Sequence, residues 1–315
     1  MLTLMTLPRT GVRAVVTVRD GRGIHRVERY NLPKMKSILG LDPAWTATEP
    51  SGVALLHQAK GRWKCVGLSP SYGQFVALAK GVPVDWTQAP VAGRPDVDAL
   101  LSAAHTLLEG RTVDLVTVDM PVALEVITKR RFADTEVSKK FGSKGCSTHS
   151  PSPERPGDVG LNLTERFKEL GFPVATTSTA VGTERVLAEV YPHPALLHLL
   201  KKDFRYKYKI GRANEYWPEK TPEERRRRIV KNWRKIIDAL SEDIGKIDLP
   251  LPEKDAIETM ASSHLKRYED ALDALICAWV GIKYFEGDCT AFGDSSAAIW
   301  IPPKGLDVAE LPESE

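Results

Sequence analysis

Acidic residues end or interrupt three apolar runs of the chain, at places where a buried strand would carry apolar side chains. Asp42 follows Ile-Leu-Gly-Leu, Asp119 follows Leu-Val-Thr-Val, and Glu189 lies inside Val-Leu-Ala-Glu-Val. A carboxylate is seldom buried unless it is paired or binds a metal ion. Asp42 and Asp119 could instead only begin turns ahead of Pro43 and Pro121. Two such acids at strand ends, together with Glu189, favour an acidic site.

Two more acids, Asp270 and Asp273, begin the apolar run 268–285. Their spacing of three residues puts both carboxylates on one face of the predicted helix, in its first turn. The alternative is that they only cap the helix or interact with its dipole. Two unpaired carboxylates near the core would repel each other. A bound Mg²⁺ or Mn²⁺, which prefers carboxylate oxygens, would remove that repulsion.

The order of the predicted elements gives the fold class. Strands are predicted over residues 13–19, 24–30, 37–43, 52–57, 63–68, 115–121 and 185–191, and helices over 96–108, 161–170, 195–201, from Thr221 onward and over 268–285. The three strands after residue 35 follow one another at short spacing, as in an antiparallel meander. A helix before the next strand implies a crossover and parallel pairing. We therefore expect an α/β fold whose mixed sheet has three antiparallel strands followed by parallel strands, flanked by helices.

This arrangement also positions the acids. Parallel pairing of the strands that end at Asp42 and Asp119 would place both side chains at neighbouring carboxyl ends, where open α/β sheets bind ligands. The polar stretch 129–158 is predicted to be a long loop, with or without a short helix.

Five stretches, in order along the chain, resemble the ribonuclease H-like nucleases and, within them, the predicted RNase H-like nucleases of domain-of-unknown-function family 429. They are Gly40–Trp45, Val118–Leu124, Arg131–Asp134, Ala188–Pro194 and Tyr268–Leu275. The last stretch is also similar to the terminal acidic motif of the Holliday-junction resolvases of that fold. The chain departs from the family pattern at Tyr191-Pro-His-Pro, where family members often read His-Pro-Glu.

The resemblance implies a metal-dependent nuclease that hydrolyses phosphodiester bonds of DNA or RNA with two Mg²⁺ or Mn²⁺ ions. By analogy with the fold, Asp42 would bridge the ions, and Asp119 and Asp273 would complete their ligands. Asp270 or Glu189 would supply a further ligand or orient the water. These five acids are the predicted catalytic residues, and the predicted metal ligands are Asp42, Asp119 and Asp273.

The basic residues are concentrated in one segment. Residues 201–235 hold 14 basic and 5 acidic residues, a net charge of +9, whereas the whole chain has +3. Such asymmetry favours a polyanion, here nucleic acid, as the partner. The residues that we expect to contact nucleic acid are Arg131, Lys139, Lys140, Lys144, Arg205, Lys207, Lys209 and Arg212.

Two of these expectations have structural alternatives. The run Arg205-Tyr-Lys-Tyr-Lys209, if extended, would put its cations on one face and its tyrosines on the other, where they could stack on bases. The same pattern suits an edge strand protected by lysines. Arg131 could instead form a structural ion pair with Asp134.

The expected domain organisation has three parts. Residues 1–34 form a peripheral extension, residues 35–302 form the ribonuclease H-like domain with a basic helical insertion at about 201–265, and residues 303–315 form a tail. Four cysteines without a C-x-x-C pair favour reduced thiols. No apolar run reaches the roughly 18 residues of a membrane span. We expect a cytoplasmic protein without a membrane partner, and a homodimer stays open.

Two other classes of function are weighed against a nuclease. Actin-like and sugar-kinase ATPases share this sheet order, but they carry a glycine-rich phosphate turn where Asp42 is followed by Pro43 and Ala44. This difference disfavours an ATPase. A catalytically inactive module of the same fold, which binds nucleic acid or protein, stays open because the Tyr191–Pro194 motif departs from the family pattern.

Overall fold

The computed structural model describes residues 13–20, 23–30, 35–46 and 48–306, the first two ranges as backbone only. The strands are β1 Arg13–Asp20, β2 Gly23–Tyr30, β3 Ser37–Asp42, β4 Gly52–Ala59, β5 Arg62–Ser69, β6 Leu115–Val118, β7 Val186–Val190, β8 Thr290–Gly293 and β9 Ala298–Ile301. The helices are α1 Tyr72–Ala79, α2 Val97–Leu107, α3 Phe132–Phe141, α4 Gly157–Glu169, α5 Pro192–Leu199, α6 Ala213–Tyr216, α7 Pro222–Ile244, α8 Lys254–Thr259 and α9 Ser262–Phe285.

Strands β3 to β9 form one sheet in the order β5-β4-β3-β6-β7-β9-β8. β3 pairs antiparallel with β4, and β4 with β5, whereas the β3-β6, β6-β7 and β7-β9 pairs are parallel. The predicted mixed sheet, with three antiparallel strands followed by parallel strands, is confirmed. β6 and β7 are buried along their whole length, which is typical of parallel strands covered on both faces. The predicted hairpin of β1 and β2 is also confirmed, as a separate antiparallel pair.

Helices cover both faces of the seven-stranded sheet. Alternate residues of β3 point to opposite faces, so Ile38 packs in a core with α5, α7 and α9, whereas Leu39 packs in a second core with α1, α2 and α4. Within the described ranges, no helix combines the length and the apolar character needed to cross a bilayer.

The structure differs from the predicted elements in two respects. The short elements α1, α6, α8, β8 and β9 have no predicted counterpart, because each is eight residues or shorter and shows little periodicity. α9 begins at Ser262 rather than near Tyr268, because its first two turns are too polar to continue the apolar pattern. The predicted loop 129–158 contains α3 and the start of α4.

Glycines allow α9 to lie directly against the sheet. A Cβ on Gly40 of β3 would stand 2.6 Å from the backbone nitrogen of Ala278, and a Cβ on Gly52 of β4 would collide with the backbone of Asp270. A Cβ on Gly281 of α9 would stand 2.7 Å from Ile38. The helix can therefore approach β3 and β4 only where these side chains are missing, and this contact fixes the height of α9 above the sheet.

We expect Gly40→Ala to lower the free energy of unfolding by about 1–3 kcal/mol, because the new methyl group meets backbone atoms of α9 that cannot move alone. Urea denaturation measures the change. Gly73→Ala is the matched control, since a Cβ on Gly73 has no neighbour within 4 Å and both changes restrict the unfolded chain equally. Equal stability of the two variants would contradict the close contact.

Candidate active site

A cleft of about 540 Å³ opens at the carboxyl ends of β3, β6 and β7. Asp42 is the last residue of β3, Asp119 follows β6, and both line the cleft. The two strands pair in parallel, and the Asp119 N–H donates to the Leu41 carbonyl at 3.0 Å. The register of the strands therefore brings these two acids to one edge of the sheet.

Three acids from two distant parts of the chain converge at this cleft: Asp42 and Asp270 line it, and Asp273 is fully buried beside them. Asp42, Asp270 and Asp273 each place one carboxylate oxygen so that the three oxygens lie within 4.8 Å of one another. These residues are called the three-acid group below. Asp119 lines the same cleft and stands outside this group.

Asp270 and Asp273 do not lie in the first turn of their helix. α9 begins at Ser262, so both acids follow after more than two turns, and the first-turn prediction is wrong. The helix dipole acts within the first turn and does not stabilise them there. Burial against the sheet, not the end of a helix, positions these carboxylates.

Two lysines and a further acid complete the acidic end of the cleft. The Nζ atom of Lys209 lies 2.5 Å from Oδ2 of Asp273. Lys266 forms an ion pair with Asp270, and its Nζ lies 3.2 Å from Oε1 of the buried Glu269. Sequence reasoning missed Lys266 and Glu269. The spacing of four residues between Lys266 and Asp270 is a signal that could have found the first, because it places both on one helical face.

Glu189 is held in an ion-pair network rather than facing the three-acid group with free oxygens. Its Oε2 and Oε1 accept from the Arg131 guanidinium at 2.5 and 2.7 Å, and Oε2 also accepts the Val122 N–H at 2.9 Å. Arg131 forms two further bonds to Asp134, at 2.8 and 3.0 Å, so the alternative ion pair is present. Burial raises the pKa of Glu189 to about 7, with Arg131 opposing the rise.

The residues predicted to contact nucleic acid fall into two sets. Arg205, Lys209 and Arg212 line the cleft. Five others do not line it: Arg131 in the ion-pair network, Lys139 and Lys140 on α3, Lys144 in the turn after it, and Lys207, whose Nζ lies 5.6 Å from the ring centre of Trp217.

The run 205–209 is neither a strand nor a face of tyrosines open to bases. Tyr208 is fully buried, and its hydroxyl donates to Oδ1 of Asp273 at 2.7 Å. The Tyr206 hydroxyl donates to Asn232 of α7 at 3.1 Å. The prediction that Tyr208 could stack on bases is therefore wrong, because its side chain is buried and hydrogen-bonded to Asp273 at the acidic end of the cleft.

Comparison with known proteins supplies the family. The sequence model of one family matches residues 40–297, and its description is "Protein of unknown function (DUF429)". The chain belongs to the DUF429 family. No curated protein and no solved structure matches it at a significant level. The three-acid group, Asp119 and Glu189 all lie within the residues matched to DUF429.

Burial and repulsion between carboxylates raise the pKa values of three acids in this DUF429 cleft. Burial, followed by the charge of Asp273, raises the pKa of Asp42 well above its usual value. Burial raises the pKa of Asp119 to about 7, although Lys209 opposes the rise. Burial likewise raises the pKa of Asp270 to about 7. A divalent cation among these groups would favour their ionised forms.

His193 occupies the motif where the chain departs from the family pattern, and it lines the cleft next to Arg205. Its Nε2 lies 2.5 Å from a guanidinium nitrogen of Arg205, and its Nδ1 has no hydrogen-bond partner among the described residues. Burial, together with the cations Lys209 and Arg205, holds the pKa of His193 well below its usual range. Because a guanidinium can only donate, Nε2 accepts from Arg205 and the proton of the neutral ring lies on the buried Nδ1.

In the absence of metal, we expect Asp119→Asn to be more stable than the wild type, and we expect this difference to grow as the pH rises from about 4 to 7. The folded pKa of about 7 exceeds the unfolded value near 3.8, so the folded chain holds this proton more tightly and loses stability as the proton leaves. The amide of Asn has no proton to lose. Melting temperatures of both proteins in EDTA, compared at pH 4.5 and pH 8, measure the difference.

The comparison between two proteins is needed because His193 acts in the opposite direction. Its lowered pKa makes the native state more stable as pH rises, in both proteins alike, and this contribution cancels in the difference. Asp98→Asn is the control, since Asp98 is an exposed carboxylate whose pKa is lowered by Arg166. A pH-independent difference between Asp119→Asn and the wild type would contradict the electrostatic account.

Proposed function

We propose that this DUF429 protein is a nuclease that hydrolyses phosphodiester bonds of DNA or RNA with the help of Mg²⁺ or Mn²⁺. The observation that carries the proposal is the convergence of Asp42, Asp270 and the buried Asp273 at a cleft that Arg205 and Arg212 also line. Hard carboxylate oxygens suit a hard divalent ion, and guanidinium groups suit the phosphate of the substrate.

The fold supports the same proposal. A mixed sheet whose antiparallel strands are followed by parallel ones, with acids at the carboxyl ends of β3 and β6, is consistent with a ribonuclease H-like arrangement. We include membership of that superfamily in the proposal. Sites at the carboxyl ends of parallel strands are also the general rule for open α/β sheets.

The residues present fit a divalent cation. Five acids, Asp42, Asp119, Glu269, Asp270 and Asp273, meet two lysines, Lys209 and Lys266, so negative charge remains in excess. Asp42, Asp270 and Asp273 would hold the ion. When bound, such an ion supplies Lewis acidity toward phosphate oxygens and toward water.

The chain's own residues can carry out the rest of the reaction. Water adds to phosphorus while the bond to the leaving oxygen breaks, which yields a phosphate monoester and an alcohol. Asp119 lines the cleft outside the three-acid group, and we assign it to accept the proton of the attacking water. The leaving oxygen takes a proton from solvent. Arg205 and Arg212 would bind phosphate oxygens.

Two alternative functions differ from this proposal. A cleavage assay distinguishes the first, and the residues of the cleft disfavour the second. A catalytically inactive binding module would bind nucleic acid in the same cleft without cutting it. An ATPase is disfavoured because Pro43 and Ala44 line the cleft directly after Asp42, where a phosphate-binding glycine turn would be needed.

We expect the purified protein to cut at least one substrate in a panel of single-stranded, duplex, hybrid and branched DNA and RNA with Mg²⁺ or Mn²⁺, and none in EDTA. Asp119→Asn should lower kcat by about 10²–10⁴-fold, because the proton acceptor is lost. Gel-based cleavage under single-turnover conditions measures both.

Asp98→Asn is the matched control for cleavage, since it removes an exposed carboxylate on α2 that pairs with Arg166 away from the cleft. It should cut at the wild-type rate. A panel without metal-dependent cleavage, or Asp119→Asn at full rate, would contradict the catalytic assignment. Binding without cleavage would support the inactive module.

We expect Arg212→Ala to weaken nucleic-acid binding and to reduce the slope of log K against log salt by about 0.9, because one phosphate contact is lost. Arg166→Ala is the control: its side chain is 42% exposed against 43% for Arg212, and both pair with an acid. Fluorescence anisotropy at several salt concentrations measures the slopes. Equal slopes for the two variants would place the bound strand outside the cleft.

A further inference from the structure

Lys209 is fixed in place on both sides by buried contacts, unlike a surface lysine. The carbonyl of the preceding residue, Tyr208, accepts the indole N–H of Trp233 at 2.8 Å. The N–H of the following residue, Ile210, donates to Glu269 of α9. Two helices, α7 and α9, therefore hold the backbone around Lys209, and its side chain is only 21% exposed.

The ammonium group of Lys209 lies among the acids. Its Nζ is 2.5 Å from Oδ2 of Asp273 and 3.9 Å from Oε1 of Glu269. The other oxygen of Asp273, Oδ1, accepts the Tyr208 hydroxyl at 2.7 Å. Both oxygens of Asp273 are thus engaged, and the oxygen on the Lys209 side already faces a full positive charge.

The positions of the acids also favour a single ion. Asp42, Asp270 and Asp273 converge within 4.8 Å, as the ligands of one ion would, whereas Asp119 stands outside the group. A second divalent ion that bound Oδ2 of Asp273 would lie next to the Lys209 ammonium group, which is 2.5 Å from that oxygen, and adjacent cations repel each other strongly in a buried site.

We propose that the site takes one divalent ion, and that the Lys209 ammonium group occupies the place of the second. This inference rests on the proposed function, because it concerns the ion-binding acids of that site. Lys209 would act as a fixed cation that offers hydrogen bonds to the phosphate as negative charge develops there, without transferring a proton. It departs from the two ions that the sequence resemblance implies.

Isothermal titration of the full chain with MnCl₂, followed by electron paramagnetic resonance of the bound Mn²⁺, tests the inference without any substrate. The wild type should bind one ion per chain. Lys209→Met should bind two, with the dipolar coupling of a close Mn²⁺ pair. Lys209→Arg, which keeps the cation, should bind one. Lys207→Met is the matched control from the same segment and should also bind one.

The outcomes separate this inference from the proposed function. Two ions in the wild type, or one ion in a folded Lys209→Met, would overturn the role of Lys209 and leave the nuclease proposal intact. No bound ion in any variant would overturn both. Circular dichroism establishes whether Lys209→Met is folded. If it is not, two ions in Lys209→Arg would overturn the inference, and one ion in both that variant and the wild type would support it.

Discussion

The close contact between α9 and the strands β3 and β4 is the constraint on which the rest of the structure depends. Gly40 and Gly52 leave room for the helix backbone, and α9 is buried along most of its length as a result. Asp270 and Asp273 lie on this helix next to the end of β3. The packing that forms the apolar core therefore also forces these two carboxylates into a poorly solvated place beside Asp42.

Two buried charge clusters lie in this part of the molecule, and they differ in how well their carboxylates are matched by cations and hydrogen bonds. Arg131 forms paired hydrogen bonds to both Glu189 and Asp134, so both carboxylates of that cluster have a buried hydrogen-bond partner, and the cluster stabilises the loop before α3. Asp42, Asp119, Glu269, Asp270 and Asp273 outnumber Lys209 and its neighbour Lys266, and burial raises the pKa values of Asp42, Asp119 and Asp270. An incomplete buried cluster in a cleft is the arrangement typical of a functional site, whereas a complete one is typical of structure.

The basic segment 201–235 divides in a similar way. Trp233 and the polar groups of α7 anchor the run 205–209, so Lys209 points into the cleft instead of joining a solvent-exposed stripe. Alternation along the chain could not reveal this, because an alternating pattern assigns faces only if the segment is a strand. The net charge of +3 therefore does not distinguish basic residues that lie at the acidic site from basic residues that face solvent.

The sequence by itself determined the mixed sheet, the order of its first strands and the presence of acids at the ends of β3 and β6. These features depend on the periodicity of apolar residues and on connection lengths, which are local properties of the chain. Only the tertiary structure decided the pairing of Arg131 with Glu189, the position of Asp270 more than two turns into α9, and the place of Lys209 among the acids. Those contacts join residues far apart in sequence, such as Lys209 and Asp273, and depend on how closely a helix can approach a sheet.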